Sequence, residues 1–310
     1  MTTTGVVVVG SITTDVTAFA DRLPAPGETV IGHDLTLVLG GKGANQAVAA
    51  AHFGAPTWMV GCVGTDPFAD LARGGLDEHG VRTDRVRTVT GPTGVAHIRV
   101  DASGQNDIVI TPLANDHTGP DDVDAALAAL EGQVSVLLLQ LEIPSATTAY
   151  AARAGRAAGL TVILDPAPAV AVDEAVWAHV DVVTPNETEA ALITGIEVSD
   201  EESAALAAQW FLDRGVRRVV VTLGERGAVD VTADERSVLA AIPVQAVDTT
   251  AAGDAFTGTF GAALATGLDV RDAVRHAMAA GALAVTKAGA SPSLPSRAEV
   301  LDLLAAPATR

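Results

Sequence analysis

Short runs of Val, Ile, Leu and Met alternate along the chain with Ala-rich stretches whose apolar positions recur at helical spacing. The continuous apolar runs predict strands buried on both faces at 5–9, 57–63, 134–140, 161–164, 181–184, 219–223 and 238–242. The helical pattern predicts helices at 44–53, 147–158, 187–194, 203–213 and 255–268. Buried strands separated by helices define an α/β fold with a mostly parallel central sheet covered on both sides, a three-layer α/β/α arrangement.

Two regions break this rhythm. Residues 14–38 and 93–111 alternate apolar and polar positions, as in Val95, His97 and Arg99 against Ala96, Ile98 and Val100. That period belongs to a sheet with one solvated face. Both regions lie between units of the main sheet, so they are expected to meet as a small β-sheet lid over its edge. Ligands in open α/β folds bind outside the C-terminal ends of the strands, which is where such a lid would sit. No linker, repeat or low-complexity tract divides the 310 residues, and a single domain spanning 1–310 is expected.

Charge narrows the partners. Thirty-eight acidic against 19 basic residues give a formal charge of −19, which argues against nucleic acid and anionic membrane. No run approaches the ~20 apolar residues of a membrane span, and the N-terminus lacks the positive region of a signal peptide. A cytoplasmic protein is expected. The single cysteine, Cys62, excludes a disulfide framework, and the seven histidines show no zinc-binding spacing.

Chemistry concentrates at 247–256, Val-Asp-Thr-Thr-Ala-Ala-Gly-Asp-Ala-Phe. Two acids, Asp248 and Asp254, bracket a turn of small residues that ends in Gly253 and opens a helix. Unpaired amides at a helix start favour an anion. An acid beside that site would repel a phosphate, yet it makes sense as acceptor of the proton from a group attacking the phosphate. Phosphoryl transfer follows. The Gly-rich segment at 39–51, with Gly40, Gly41 and Gly43 around Lys42 and with Asn45 in the following helix, is no Walker A loop. It is either a tight turn or a donor-rich loop for a hydroxylated ligand. Asp15, after the first strand, and Glu142, at the end of another, are candidate acceptors for sugar hydroxyls; a lone Asp also serves as a turn or cap residue. Asn186 and Glu189 open a helix and fit either a capping box or Mg²⁺ held through water. Gly224 and Gly227 follow a strand, either as room for a nucleotide or as a hairpin.

Together these segments resemble the ribokinase branch of the PfkB carbohydrate kinase family. The likeness runs through Gly-Ser-Ile-x-x-Asp at 10–15, Pro-Gly-Glu-Thr at 26–29, Gly-Gly-Lys-Gly-Ala-Asn-Gln-Ala-Val at 40–48 and Leu-Gln-Leu-Glu at 139–142. It continues in Asp-Pro-Ala-Pro at 165–168, Thr-Pro-Asn-Glu-Thr-Glu-Ala at 184–190, the 247–256 motif and Gly-Ala-Ser-Pro-Ser at 289–293. The resemblance implies a ribokinase-like fold and transfer of phosphate from ATP to the primary hydroxyl of a furanose, D-ribose foremost. Another pentose, deoxyribose or a nucleoside is the alternative acceptor, and a non-catalytic sugar-binding protein a remote one. It makes Asp254 the base and the amides around Ala252 and Gly253 the anion hole. Thr13, Asp15, Gly41, Lys42, Gly43, Asn45 and Glu142 would surround the sugar. Asn186, Thr222, Gly224, Gly227, Gly253 and Met278 would line the nucleotide site, with Asn186 and Glu189 organising Mg²⁺ indirectly. A K⁺ ion would be held by Asp248 and Ser293 and by carbonyls at Thr250, Ala284, Lys287 and Gly289. The resemblance also implies a homodimer formed through the lid. The chain departs from the family pattern at Thr13, which replaces an Asn near the sugar, at His97 in the lid and at Met278 near the adenine.

Overall fold

The computed structural model of the chain describes residues 4–306. Its strands are β1 (Gly5–Val9), β2 (Thr13–Phe19), β3 (Asp34–Gly40), β4 (Thr57–Val63), β5 (Arg82–Thr88), β6 (Gly94–Val100), β7 (Asn106–Thr111), β8 (Val134–Leu139), β9 (Thr161–Leu164), β10 (Val182–Val183), β11 (Arg218–Thr222), β12 (Ala228–Thr232) and β13 (Arg236–Leu239). Its α-helices are α1 (Lys42–His52), α2 (Pro67–Glu78), α3 (Pro120–Ala129), α4 (Ser145–Ala157), α5 (Glu187–Thr194), α6 (Glu201–Leu212), α7 (Ala252–Ala265), α8 (Val270–Ala284) and α9 (Arg297–Ala305).

A nine-stranded sheet runs in the order β13-β12-β11-β10-β9-β8-β1-β4-β5. Its pairings are parallel from β5 to β11, and β12 and β13 add antiparallel at one edge. Successive residues of a strand face opposite ways. Val6, Val8 and Leu138 therefore pack with α1, α7 and α8 on one side, while Val7, Val9, Leu137 and Leu139 pack with α4 and α6 on the other. This is the expected three-layer α/β/α arrangement.

The alternating regions form a separate four-stranded sheet, ordered β3-β2-β6-β7. Both edges of this small sheet carry apolar side chains in solvent, including Leu35 and Leu37 on β3 and Ile108, Val109 and Ile110 on β7. Helix starts carry the chemistry their sequences offer. Asp66 caps α2 ahead of Pro67, Asp200 caps α6, and Asn186 forms a reciprocal capping box with Glu189 on α5, which Gly195 ends at φ 73°. No helix among the described residues is long and apolar enough to cross a membrane.

Candidate active site

The C-terminal ends of β1, β8, β9, β10 and β11 converge on the N-termini of two helices, α1 and α7, which arrive from distant parts of the chain. Their starts differ. The N-cap of α1 is Gly41, which has no side chain to cap with, so neighbours supply the acceptors. Glu142 Oε2 accepts from Lys42 N at 2.9 Å, Ser11 Oγ from Gly43 N at 3.2 Å and Ser11 O from Ala44 N at 2.9 Å. The first-turn donors of α1 are thus consumed internally.

Two backbones touch there. Gly41 has φ 90°, and a Cβ on Gly43 would lie 2.6 Å from Ser11 N, so the 10–15 segment crosses 40–43 with no side chain between them.

The start of α7 is open. Its N-cap, Ala251, adopts the left-handed conformation at φ 60°, and the Ala252 amide donates to Thr249 O at 3.3 Å. The amides of Gly253 and Asp254 have no backbone acceptor among the described residues, and a Cβ on Gly253 would meet nothing within 4 Å. They face a cavity of about 170 Å³ whose lining includes Lys42, Asp165, Asn186, Glu189, Thr222 and Asp254.

Asp254 is buried and tied to α1. Asn45 Nδ2 donates to its Oδ2 at 3.0 Å and Gln46 Nε2 to its Oδ1 at 3.2 Å. The Lys42 ammonium stands 3.6 Å from Asp254 Oδ1 and 3.5 Å from Asp165 Oδ2. Burial alone would lower the Lys42 pKa, but Asp165, Asp254, Glu142 and Glu189 around it raise it, so it stays charged. Burial drives the Asp165 carboxyl up to about 8 against the pull of Lys42.

Asp15 lies on β2 over Gly40, where any Cβ would strike its carboxylate. Burial pushes the Asp15 carboxyl up to about 6; the Thr13 hydroxyl, donating to Oδ1 at 2.9 Å, opposes that rise, and Glu142 and Asp254 add to it. Glu142 lies beyond the end of β8, where it also accepts from Ser11 Oγ at 2.6 Å. Thr13, Asp15, Lys42, Gly43, Asn45, Glu142 and Asp254 are therefore brought together with Gly41.

The residues expected at the nucleotide divide. Asn186 and Thr222 line the cavity and form a bridge between strand ends. Gly224 opens the turn after β11, and Gly227 closes it at φ 97°. Met278, on α8, is half-buried against the core. Asn186 Oδ1 and Glu189 Oε2 are engaged in the capping box, which leaves Glu189 Oε1 without a hydrogen bond among the described residues.

Asp248 clamps the turn before α7. It accepts from Thr250 N at 2.9 Å and Thr250 Oγ1 at 2.6 Å, and from Gly289 N at 2.9 Å. Partial burial works against its ionisation, but these hydrogen bonds outweigh it and hold the pKa below the ordinary value. Ala284 O accepts from Lys287 N at 3.2 Å, and buried Ser293 donates to Ala290 O at 2.8 Å. The structure ties Asp248 directly to Thr250 and Gly289, whereas Ala284 and Ser293 hydrogen-bond within their own segments. No cluster of three or more His, Cys, Asp or Glu among the described residues suits a transition metal.

Sequence reasoning missed Ser11, Gln46, Gln140 and Asp165 as site residues. A signal was present for two of them, since Gln140 and Asp165 are polar residues ending apolar strands at the sheet's C-terminal edge.

Fold and site together define a kinase. The chain belongs to the pfkB family of carbohydrate kinases, whose family model matches residues 3–297. It is 40% identical over 298 residues to a ribokinase of Haemophilus influenzae, covering 96% of this chain and 97% of that one. A deoxyribokinase of Salmonella typhimurium is 37% identical over 293 residues, covering 94% and 95%. The structure of Arabidopsis thaliana ribokinase complexed with ribose and ATP matches at a TM-score of 0.90 and 35% identity, covering 99% of this chain and 100% of that one.

Proposed function

We propose that this carbohydrate kinase, acting as one domain, transfers the γ-phosphoryl group of ATP to the primary 5-hydroxyl of D-ribose, giving ribose 5-phosphate and ADP. The observation that carries the reading is the pairing of a buried carboxylate, Asp254, with the open N-terminus of α7 at Gly253. Asp254 accepts the hydroxyl proton as the sugar oxygen bonds to the γ-phosphorus and the bond from that phosphorus to the ADP oxygen breaks. The helix-start amides around Ala252 and Gly253 receive the charge of the moving phosphoryl, and Lys42 balances the carboxylates around it. Asp15, with Glu142 beside it, accepts hydrogen bonds from the sugar's other hydroxyls, with Thr13, Gly41, Gly43 and Asn45 completing the pocket.

Asn186, Thr222, Gly224, Gly227 and Met278 hold the nucleotide. Mg²⁺, when bound, neutralises phosphate charge, and Glu189 retains a carboxylate oxygen to hold it through water, beside Asn186. Asp248, Ser293 and the carbonyls of Thr250, Ala284, Lys287 and Gly289 would hold K⁺, which would supply positive charge to stiffen the turn that carries the anion hole. The small sheet acts as a lid, and its exposed apolar edge strands favour a homodimer that covers them.

A second acceptor, 2-deoxyribose, is favoured by the deoxyribokinase relative and by Thr13, a short hydroxyl committed to Asp15. ATP-coupled kcat/KM with ribose, 2-deoxyribose, fructose, arabinose and adenosine ranks the acceptors, and ribose is expected first. Asp254→Asn is expected to lose about 10²–10⁴-fold in kcat while still binding sugar. Wild-type turnover in that variant would sink the base assignment.

A further inference from the structure

Behind Lys42 lies a chain of buried amides that the reaction as described does not use. Gln140 Nε2 donates to Gln46 Oε1 at 2.5 Å, and Gln46 Nε2 forks to Asp165 Oδ2 at 2.8 Å and Asp254 Oδ1 at 3.2 Å. Both glutamines are fully buried.

Chemistry fixes the direction of this chain. An ionised carboxylate only accepts, so with Asp254 as the ionised base Gln46 turns its NH₂ toward it and its carbonyl toward Gln140. Gln140 then has to donate to that carbonyl. Its own Oε1 is left buried with no partner among the described residues, a cost that the reversed orientation would only increase. Space for Gln140 comes from Gly10, where a Cβ would lie 1.9 Å from Gln140 Oε1.

We infer that Gln46, locked in one amide orientation by Gln140, is a positioning residue for the base. It fixes the plane of the Asp254 carboxylate by donating to one oxygen, while Asn45 holds the other. This rests on the reading of Asp254 as the base. The charged groups around that carboxylate are Lys42 of α1, Asp165 after β9, Asp15 of β2, Glu142 after β8 and Glu189 of α5. Of these only Lys42 is cationic. Neutral donors therefore supply what a lone ammonium shared among several acids does not.

The test is the pH dependence of kcat at saturating sugar and ATP for Gln46→Met, Gln140→Met and the double variant, beside Asp254→Asn. Gln46→Met keeps the length of the side chain and removes its donors. Its acidic limb is expected to move up by about one pH unit, the size of one hydrogen bond to a charged group, with sugar KM within about twofold of wild type. Gln140→Met is expected to move the limb the same way by less, and the double variant no further than Gln46→Met, because Gln140 acts only through Gln46.

A Gln46→Met loss of equal factor at every pH, or additive shifts in the double variant, would overturn the inference. Should Gln46→Met fail to melt cooperatively, Gln140→Met carries the test: a limb that stays at the wild-type position counts against the inference. Loss of turnover in Asp254→Asn with an unmoved limb in the glutamine variants removes this inference alone. Turnover retained in Asp254→Asn removes it together with the base assignment.

Discussion

Replacing Thr13 by Val separates two ways in which this residue can influence sugar choice. Val keeps the shape and deletes the hydroxyl that donates to Asp15 Oδ1 at 2.9 Å. The pair is buried, so solvent screening does not dilute the loss. A hydrogen bond to a charged group contributes about 1.5–3 kcal/mol, and 1.36 kcal/mol corresponds to about one unit of pKa. Taking the lower figure, the Asp15 carboxyl rises from about 6 to roughly 7. Only the ionised form accepts from two hydroxyls, so apparent sugar affinity follows the ionised fraction. Affinity is full above the pKa and lost as pH falls through it, by about tenfold per unit once well below. The KM ratio of variant to wild type is then near one at pH 9, about twofold at pH 7, about fivefold at pH 6 and about ninefold at pH 5. Steady-state KM for ribose across that range, with kcat followed in parallel, reads this directly. A constant ratio at all pH values would refute the reasoning and assign Thr13 a direct contact with the sugar.

Replacing Na⁺ by K⁺ at fixed ionic strength is expected to raise kcat through the Asp248 turn, and equal rates in the two salts would remove the cation site. Gly43→Ala presses a methyl group onto the Ser11 backbone at 2.6 Å, and overpacking of this kind costs about 1–3 kcal/mol, so a wild-type melting temperature would contradict the crossing described. Light scattering is expected to give twice the chain mass, and Leu35→Asp with Val109→Asp to halve it; a wild-type monomer would refute the dimer.

Much of the main sheet was legible because its strands are buried on both faces. The runs at 5–9, 57–63 and 161–164 coincide with β1, β4 and β9. Strand β5 was not legible: it is an edge strand, Arg-Thr-Asp-Arg-Val-Arg-Thr, that buries only Val86. Helix α2 was hidden by Gly74 and Gly75, the second of which sits against Leu39 with no room for a Cβ. Strand β12 carries Asp230 in its middle, paired there with Arg218. The α7 start was expected at 255 and lies at Ala252, because Ala251 turns left-handed there.

The motifs of the candidate site could be read locally, but the links between them could not. Gln46 meets Asp254 across 208 residues and Asp165 across 119, and no local period encodes such a meeting. A neutral amide within an Ala-rich helix also carries no charge pattern to mark it.

The backbone crossing between 10–15 and 40–43 bears on where this site has room for change. Where two main chains press together a side chain has nowhere to go, so a Cβ at Gly43 must push the Gly10–Ser11 backbone aside, whereas at Gly40 it meets the Asp15 carboxylate. Position 13 lies in the same crossing, yet among the described residues the Thr13 hydroxyl bonds only to Asp15. It makes no hydrogen bond to either backbone or to Lys42, Gln46 or Asp254 among the described residues. Sugar preference is thus open to adjustment at one side chain that stands beside a crossing with no room for a side chain at Gly43.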